Sequence, residues 1–143
     1  MTIPKIYDDK NIIAMIIRGE IPNHTVYEDD RVLAFMDIMP QSEGHLLVVT
    51  KAHAVSLLDV EPDDLTYLMK KVQTIAQKME SYFKADGILL RQFNGEAAGQ
   101  TIFHLHFHLI PVKQATKLKG HGLEMADADI LAKQAADLKL LLA

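Results

Sequence analysis

The segment His104-Leu105-His106-Phe107-His108-Leu109 alternates three histidines with three bulky apolar residues. Successive side chains of a β-strand point to opposite faces. His104, His106 and His108 therefore share one face, and Leu105, Phe107 and Leu109 cover the other. The chain has seven histidines, so nearly half of them stand in this short run. Imidazoles exchange protons near neutral pH and serve as nucleophiles or metal ligands. Three readings follow. Histidines at i and i+2 lie about 6.6–7 Å apart at Cα and can share a metal ion, but i and i+4 lie about twice as far apart. No cysteine or carboxylate adjoins the run to complete such a site. The second reading is nucleophilic catalysis at phosphorus, with a covalent histidine intermediate and neighbouring imidazoles that hold phosphate oxygens and relay protons. His106, flanked on its own face by the other two, is then the natural nucleophile. The third reading is a solvated strand face, and strict alternation of three histidines argues against it.

The preceding loop, Asn94-Gly95-Glu96-Ala97-Ala98-Gly99-Gln100-Thr101, favours the phosphorus reading. Its glycines let backbone approach a ligand closely, and Asn94, Gln100 and Thr101 add neutral donors. It lacks the Gly-Lys-Ser/Thr ending of a nucleotide P-loop, so no magnesium-linked phosphate cradle is implied.

These residues need a frame. The 143-residue chain fits one domain, 49% hydrophobic and 24% charged, with a net charge of −4 and a pI near 5.9. Nothing in that balance suggests an electrostatic grip on nucleic acid or an anionic membrane, so an anionic ligand is expected to be held by local donors. Without cysteine there are no disulfides, cysteine nucleophiles or thiolate zinc sites. The N-terminal stretch has no secretory apolar region, and the longest apolar run, Ile12 to Ile17, is far shorter than the roughly 20 residues that span a bilayer. The cytoplasm is the expected compartment.

Asp9 or Asn11 caps a first short helix carrying Ile12, Ile13, Met15, Ile16 and Ile17, ended by Gly19 and Pro22. Thr25–Glu28 and Arg31–Asp37 read as strands joined at Asp29-Asp30, and His45–Thr50 as a third. Leu65, Leu68, Met69, Val72, Ile75, Ala76, Met79, Tyr82 and Phe83 recur at helical spacing after Pro62. Ile88–Phe93 and Phe103–Ile110 read as the last two strands. Lys113–Gly122 is basic and irregular, and Asp127 caps a final helix. Five strands with few intervening helices predict an α+β fold with a mainly antiparallel sheet, a long helix between strands and an added C-terminal helix.

The run Gly99-Gln100-Thr101-Ile102-Phe103-His104-Leu105-His106-Phe107-His108-Leu109-Ile110-Pro111 resembles the signature of the histidine triad (HIT) superfamily, His-φ-His-φ-His-φ-φ with φ apolar. Two upstream stretches agree: Ile17-Arg18-Gly19-Glu20-Ile21-Pro22, and Glu28 to Arg31 through Phe35-Met36-Asp37-Ile38 to Gly44-His45-Leu46-Leu47-Val48-Val49. The likeness covers about residues 11–111 of a single domain over 1–143, with about 112–143 as a C-terminal extension. The resemblance implies a five-stranded antiparallel sheet per subunit, a homodimer that often forms one ten-stranded sheet, and no cofactor. It implies hydrolysis or transfer at the α-phosphate of a purine nucleotide conjugate, of phosphoramidate type, through a nucleotidyl-histidine intermediate. By position, His106 matches the nucleophile, His104 and His108 the flanking triad members, and His45 a fourth histidine in their network. Asp37 matches the acidic residue that holds the ribose hydroxyls. Asn94, Gln100 and Thr101 match donors to the phosphate, and Ile12, Ile13, Ile16, Phe35 and Ile38 the apolar slot for the base.

Many bacterial relatives bind a structural zinc through an N-terminal Cys-x-x-Cys. This chain has no cysteine, so no metal site is expected, and His53 reads as structural. His24 reads as exposed. His121, between glycines, is either a solvated loop residue or a substrate contact. A dinucleoside polyphosphate hydrolase and a nucleotide-binding regulatory protein with weak catalysis are the alternatives.

Overall fold

The computed structural model describes residues 3–143; the first two residues of the N-terminal stretch lie outside it. The first helix, α1 (Ile12–Ile17), is capped by Asn11, whose side chain accepts from the Ala14 N–H. Strands β1 (Thr25–Glu28), β2 (Val32–Met36) and β3 (Leu46–Thr50) follow. The long helix α2 (Pro62–Phe83) precedes β4 (Gly87–Arg91), β5 (His106–Val112) and the final helix α3 (Ala128–Leu141). The five strands form one antiparallel sheet in the order β1-β2-β3-β5-β4.

Pro62 opens α2, and Asp63 and Asp64 stand in its first turn, where negative charge meets the positive end of the helix dipole. Both carboxylates bond Arg31 at 2.9 Å, which ties the start of α2 to the turn before β2. Leu68, Val72, Ile75 and Met79 form the buried stripe of α2. They pack with Leu131, Ala135 and Leu138 of α3 and with Val48, Phe107 and Leu109 of the sheet. Fully burying each such aliphatic side chain contributes about 1.5–3 kcal/mol. The opposite sheet face carries a second, smaller cluster of Ile13, Leu33, Phe35, Leu47 and Val49. Here α1 and Ile102 are the cover, so this face is only partly roofed.

β2 and β3 are each shorter by a residue or two than the sequence reading, β4 runs Gly87–Arg91 and not to Phe93, and β5 differs most at both ends. Strand β5 begins at His106, not Phe103. β3 ends at Thr50 opposite Val49↔His106, the chain then turns away, and the Leu105 N–H bonds the Ala54 carbonyl instead of a ladder partner. β5 also runs through Pro111 to Val112. Proline is tolerated because β3 starts at Leu46 opposite Leu109 and pairs no residue of β5 beyond it; the Pro111 carbonyl accepts from the Ser42 hydroxyl.

Candidate active site

The ladder sets the histidines. His106 stands opposite Val49 and His108 opposite Leu47, both residues of the smaller cluster. The histidine side chains therefore share the partly roofed face, away from α2. His45 precedes β3 and reaches the same place, because the Asp37 N–H bonds the His45 carbonyl and extends the β2–β3 ladder by one rung. All four imidazoles are buried, so a solvated histidine face is excluded.

Hydrogen bonds assign each ring a tautomer. The His106 Nδ1–H donates to the His104 carbonyl at 2.6 Å, which leaves Nε2 with its lone pair. The Gln41 N–H donates to His45 Nδ1 at 3.0 Å, so His45 carries its proton on Nε2 and donates it to His108 Nδ1 at 2.9 Å. His108 then holds its proton on Nε2. The His104 Nε2–H donates to the Thr50 carbonyl at 2.7 Å, and the Tyr7 hydroxyl donates to its Nδ1. The result is one free lone pair, on His106, beside one free N–H, on His108.

Burial keeps these rings uncharged. It pulls His45 and His104 down to about 4 and His108 to about 3, and it lowers His106 as well. A neutral imidazole is the form that can attack phosphorus. Asp37 is held by the Met39 N–H at 2.8 Å, and burial raises its carboxyl. Its free oxygen lies 3.6 Å from His45 Nε2 and 3.9 Å from His121 Nε2.

Two cavities meet at His106. An apolar one of about 320 Å³ is lined by Ile12, Ile13, Ile16, Phe35, Asp37 and Ile38 among others. A smaller one of about 130 Å³ is lined by Gln41, Arg91, Phe93 and Gly99. Thr101, His106, His108 and His121 border both. Ile13 and Phe35 are also core residues, whereas Ile12 and Ile38 are each 47% exposed to the opening. A larger groove of about 570 Å³ near Tyr82, Phe83 and Lys133 contains none of the histidines.

Not every residue expected at the site borders a cavity. Both nitrogens of His104 are engaged with Thr50 and Tyr7, and its ring borders neither cavity. It acts on the site through its carbonyl, which orients His106. His45 likewise acts through His108. Gln100 is buried, accepts from the Gly95 N–H and donates to the Val55 and Ile102 carbonyls. Asn94 is tied to Leu57 and Gln92. These two amides hold the loop rather than face a ligand. Thr101 alone of the three donors lines the cavities.

The structure also adds residues. Arg91 and Gln41 enter the smaller cavity and bond each other at 3.2 Å. His121 is delivered by the C-terminal segment, which Gln41 grips through its backbone and side chain at Lys119. The glycines around His121 were a weak hint of this. Tyr7, 97 residues from His104, carried no local signal.

Asp37, His45 and His108 are the one group among the described residues whose ligand atoms lie within 4.8 Å of one another. The facing nitrogens of His45 and His108 bond each other directly, and the other His45 nitrogen accepts from Gln41. That is the pattern of an ordered proton chain, not of two lone pairs aimed at one ion. Nor do the donors near the N-terminus fit a thiolate zinc site: Tyr7 stacks on His53 with centroids 4.3 Å apart and bonds His104.

The family model of the HIT domain matches residues 18–115. An uncharacterized HIT-like protein of Saccharolobus solfataricus is 39% identical over 70% of this chain and 72% of its own length. The adenosine 5′-monophosphoramidase HNT1 of Saccharomyces cerevisiae is 35% identical over 93% of this chain and 83% of its own. The adenylylsulfatase HINT3 of Arabidopsis thaliana is 36% identical over 80% of this chain and 61% of its own. The crystal structure of a HIT-like protein from Bartonella henselae superposes with a TM-score of 0.87 at 44% identity, covering 94% of this chain and 98% of that one. With the triad, the sheet and these likenesses in agreement, the chain belongs to the HIT family.

Proposed function

We propose that the protein is a nucleotidyl hydrolase or transferase that cleaves purine nucleotide conjugates at the α-phosphate through a nucleotidyl-His106 intermediate. One observation carries this reading: His106 gives its Nδ1–H to the His104 carbonyl, which leaves Nε2 with its lone pair on a ring that lines both cavities beside His108. The base enters the slot of Ile12, Ile13, Ile16, Phe35 and Ile38. The ribose hydroxyls donate to the free oxygen of Asp37. The α-phosphate then rests between Thr101, His108 and His106. Nε2 attacks in line, an N–P bond forms, and the bond to the leaving group breaks with its electron pair on that group; a departing amine takes its proton from the His108 Nε2–H, which water restores in the second step. The His108 Nε2–H and the Thr101 hydroxyl stabilise the negative oxygens. Water next attacks phosphorus, releases the nucleotide and restores neutral His106. The names of the yeast and Arabidopsis relatives support this class and leave both an amine and a sulfate open as leaving group.

The test is hydrolysis of an adenosine 5′-phosphoramidate. His106→Ala is expected to abolish turnover while nucleotide binding persists; turnover near the wild-type rate overturns the reading. Undiminished activity of metal-free protein separates it from a metal-dependent hydrolase. We further propose a homodimer. β4 is an edge strand with Leu90 45% exposed, a surface that a second copy can pair. Light scattering should return twice the chain mass.

A further inference from the structure

The smaller cavity differs in character from the base slot. It meets the slot at Thr101, His106, His108 and His121, so a phosphate seated at that junction with its nucleoside in the slot has the smaller cavity open to its leaving group. Its volume is about 130 Å³. That is less than half of the roughly 300 Å³ at which pockets begin to enclose drug-sized ligands. A tetrahedral oxyanion fits; a second nucleoside extends past it into solvent.

Its charge is equally specific. Arg91 stands in β4 opposite His108, and its guanidinium reaches the cavity with a single hydrogen bond, to the Gln41 side chain. Among the described residues no carboxylate lies within ion-pair distance of Arg91. A fixed cation with open donors, in a protein of net charge −4, is the local anion holder that the overall field does not supply. His121 borders the same cavity, its Nε2 3.9 Å from an Asp37 oxygen. Gln41 links Arg91 to the segment that carries His121. Its side chain accepts from Arg91 and donates to the Lys119 carbonyl, and its backbone carbonyl accepts from the Lys119 N–H at 2.8 Å.

We propose that Arg91, Gln41 and His121 form a leaving-group subsite that selects a small oxyanion, sulfate or phosphate, over an amine or a second nucleoside. The proposal rests on the hydrolase reading above and names its substrate class. As His106 Nε2 bonds to phosphorus, the bridging P–O bond breaks and its electron pair stays on the departing oxygen. Sulfate leaves as the dianion and needs no proton, so Arg91 stabilises it as it forms. An amine must be protonated at the bridging nitrogen before it leaves as the neutral amine, and a fixed guanidinium opposes that positive charge. Water later supplies the oxygen that completes the released nucleoside monophosphate, and its proton passes to solvent.

The experiment compares kcat/KM of the full-length protein for adenosine 5′-phosphosulfate, ADP, adenosine 5′-phosphoramidate and diadenosine tetraphosphate. Wild type is expected to favour the phosphosulfate or ADP, and the stronger of these identifies the anion. Arg91→Ala should lower the ratio of that substrate to the phosphoramidate by roughly tenfold or more, and Arg91→Lys should recover part of it. A ratio unchanged in Arg91→Ala, or a preference for the tetraphosphate, overturns the subsite while His106 adducts still form. Absence of both turnover and adducts with every substrate overturns the hydrolase reading and the subsite together. Unaltered thermal melting of the Arg91 variants confirms that the ratio reports binding and not unfolding.

Discussion

Acidification should unfold this protein through its histidines before its carboxylates. Burial holds His45 and His104 near 4 and His108 near 3, against an ordinary value of 6.5. A group whose pKa falls on folding adds stability above its unfolded value, and that stability is lost as pH drops toward the folded value. The window is therefore pH 6.5 down to about 4. At pH 4.5 each of the three rings would be charged in the unfolded chain and largely neutral in the folded one. At about 1.4 kcal/mol per pH unit, each then withdraws about 2–3 kcal/mol, and the three together several kcal/mol. Domains of this size carry only about 5–15 kcal/mol. Asp29 acts in a lower window. Despite burial, the Tyr67 and Tyr27 hydroxyls and two backbone N–H groups hold it down to about 2, so its contribution persists until the pH falls below 3.8. Asp37, whose carboxyl burial raises, opposes the trend weakly. Urea melts at fixed protein concentration between pH 7.5 and 4.5 measure the slope, and NMR titration reports the imidazoles. Stability at pH 4.5 within about 1 kcal/mol of its value at pH 7 would refute the assignment of buried, neutral rings.

Other perturbations probe the frame around the site. Gly44 has φ +89°, and a Cβ there would stand 2.6 Å from the Phe83 ring and 2.9 Å from Pro111. Gly44→Ala should cost about 2–4 kcal/mol by thermal melting, and a loss below about 0.5 kcal/mol contradicts the packing. Gln100→Leu leaves the Gly95 N–H and two carbonyls without their partner. A loss of about 2–3 kcal/mol with reduced turnover is expected, and an unchanged melt refutes the loop-tying role. Asp37→Asn should raise KM for a ribonucleotide roughly tenfold and affect the 2′-deoxy analogue less; equal effects on both sugars exclude the ribose contact.

The parts of the fold that were legible in the sequence rest on periodicity. The apolar spacing from Leu65 to Phe83 marks α2, Asp127 marks the start of α3, and of the two candidate caps of α1, Asp9 and Asn11, the structure uses Asn11. The alternation from His104 to Leu109 marked the histidine face but overstated the strand. Where β5 starts depends on where β3 ends, and pairing partners are not written in local pattern. The same limit applies to the site. His106 and His108 were legible because two-residue spacing fixes a shared face. The separate duties of His45 and His104 were not, since they follow from contacts with Gln41, Thr50 and Tyr7. Asn94 and Gln100 looked like ligand donors because a polar loop residue has the same side chain whether it faces a ligand or its own backbone. Arg91 reads in sequence only as a charge within an apolar strand; the structure opposes it to His108 across β4 and β5.

The most direct test is intact-mass analysis of protein quenched during turnover of an adenosine 5′-phosphoramidate or phosphosulfate. The account predicts one added adenylyl group per chain, acid-labile as an N–P bond is, located to His106 by tandem fragmentation and absent in His106→Ala. Turnover with no adduct, or an adduct on His104, His108 or His121, would contradict it.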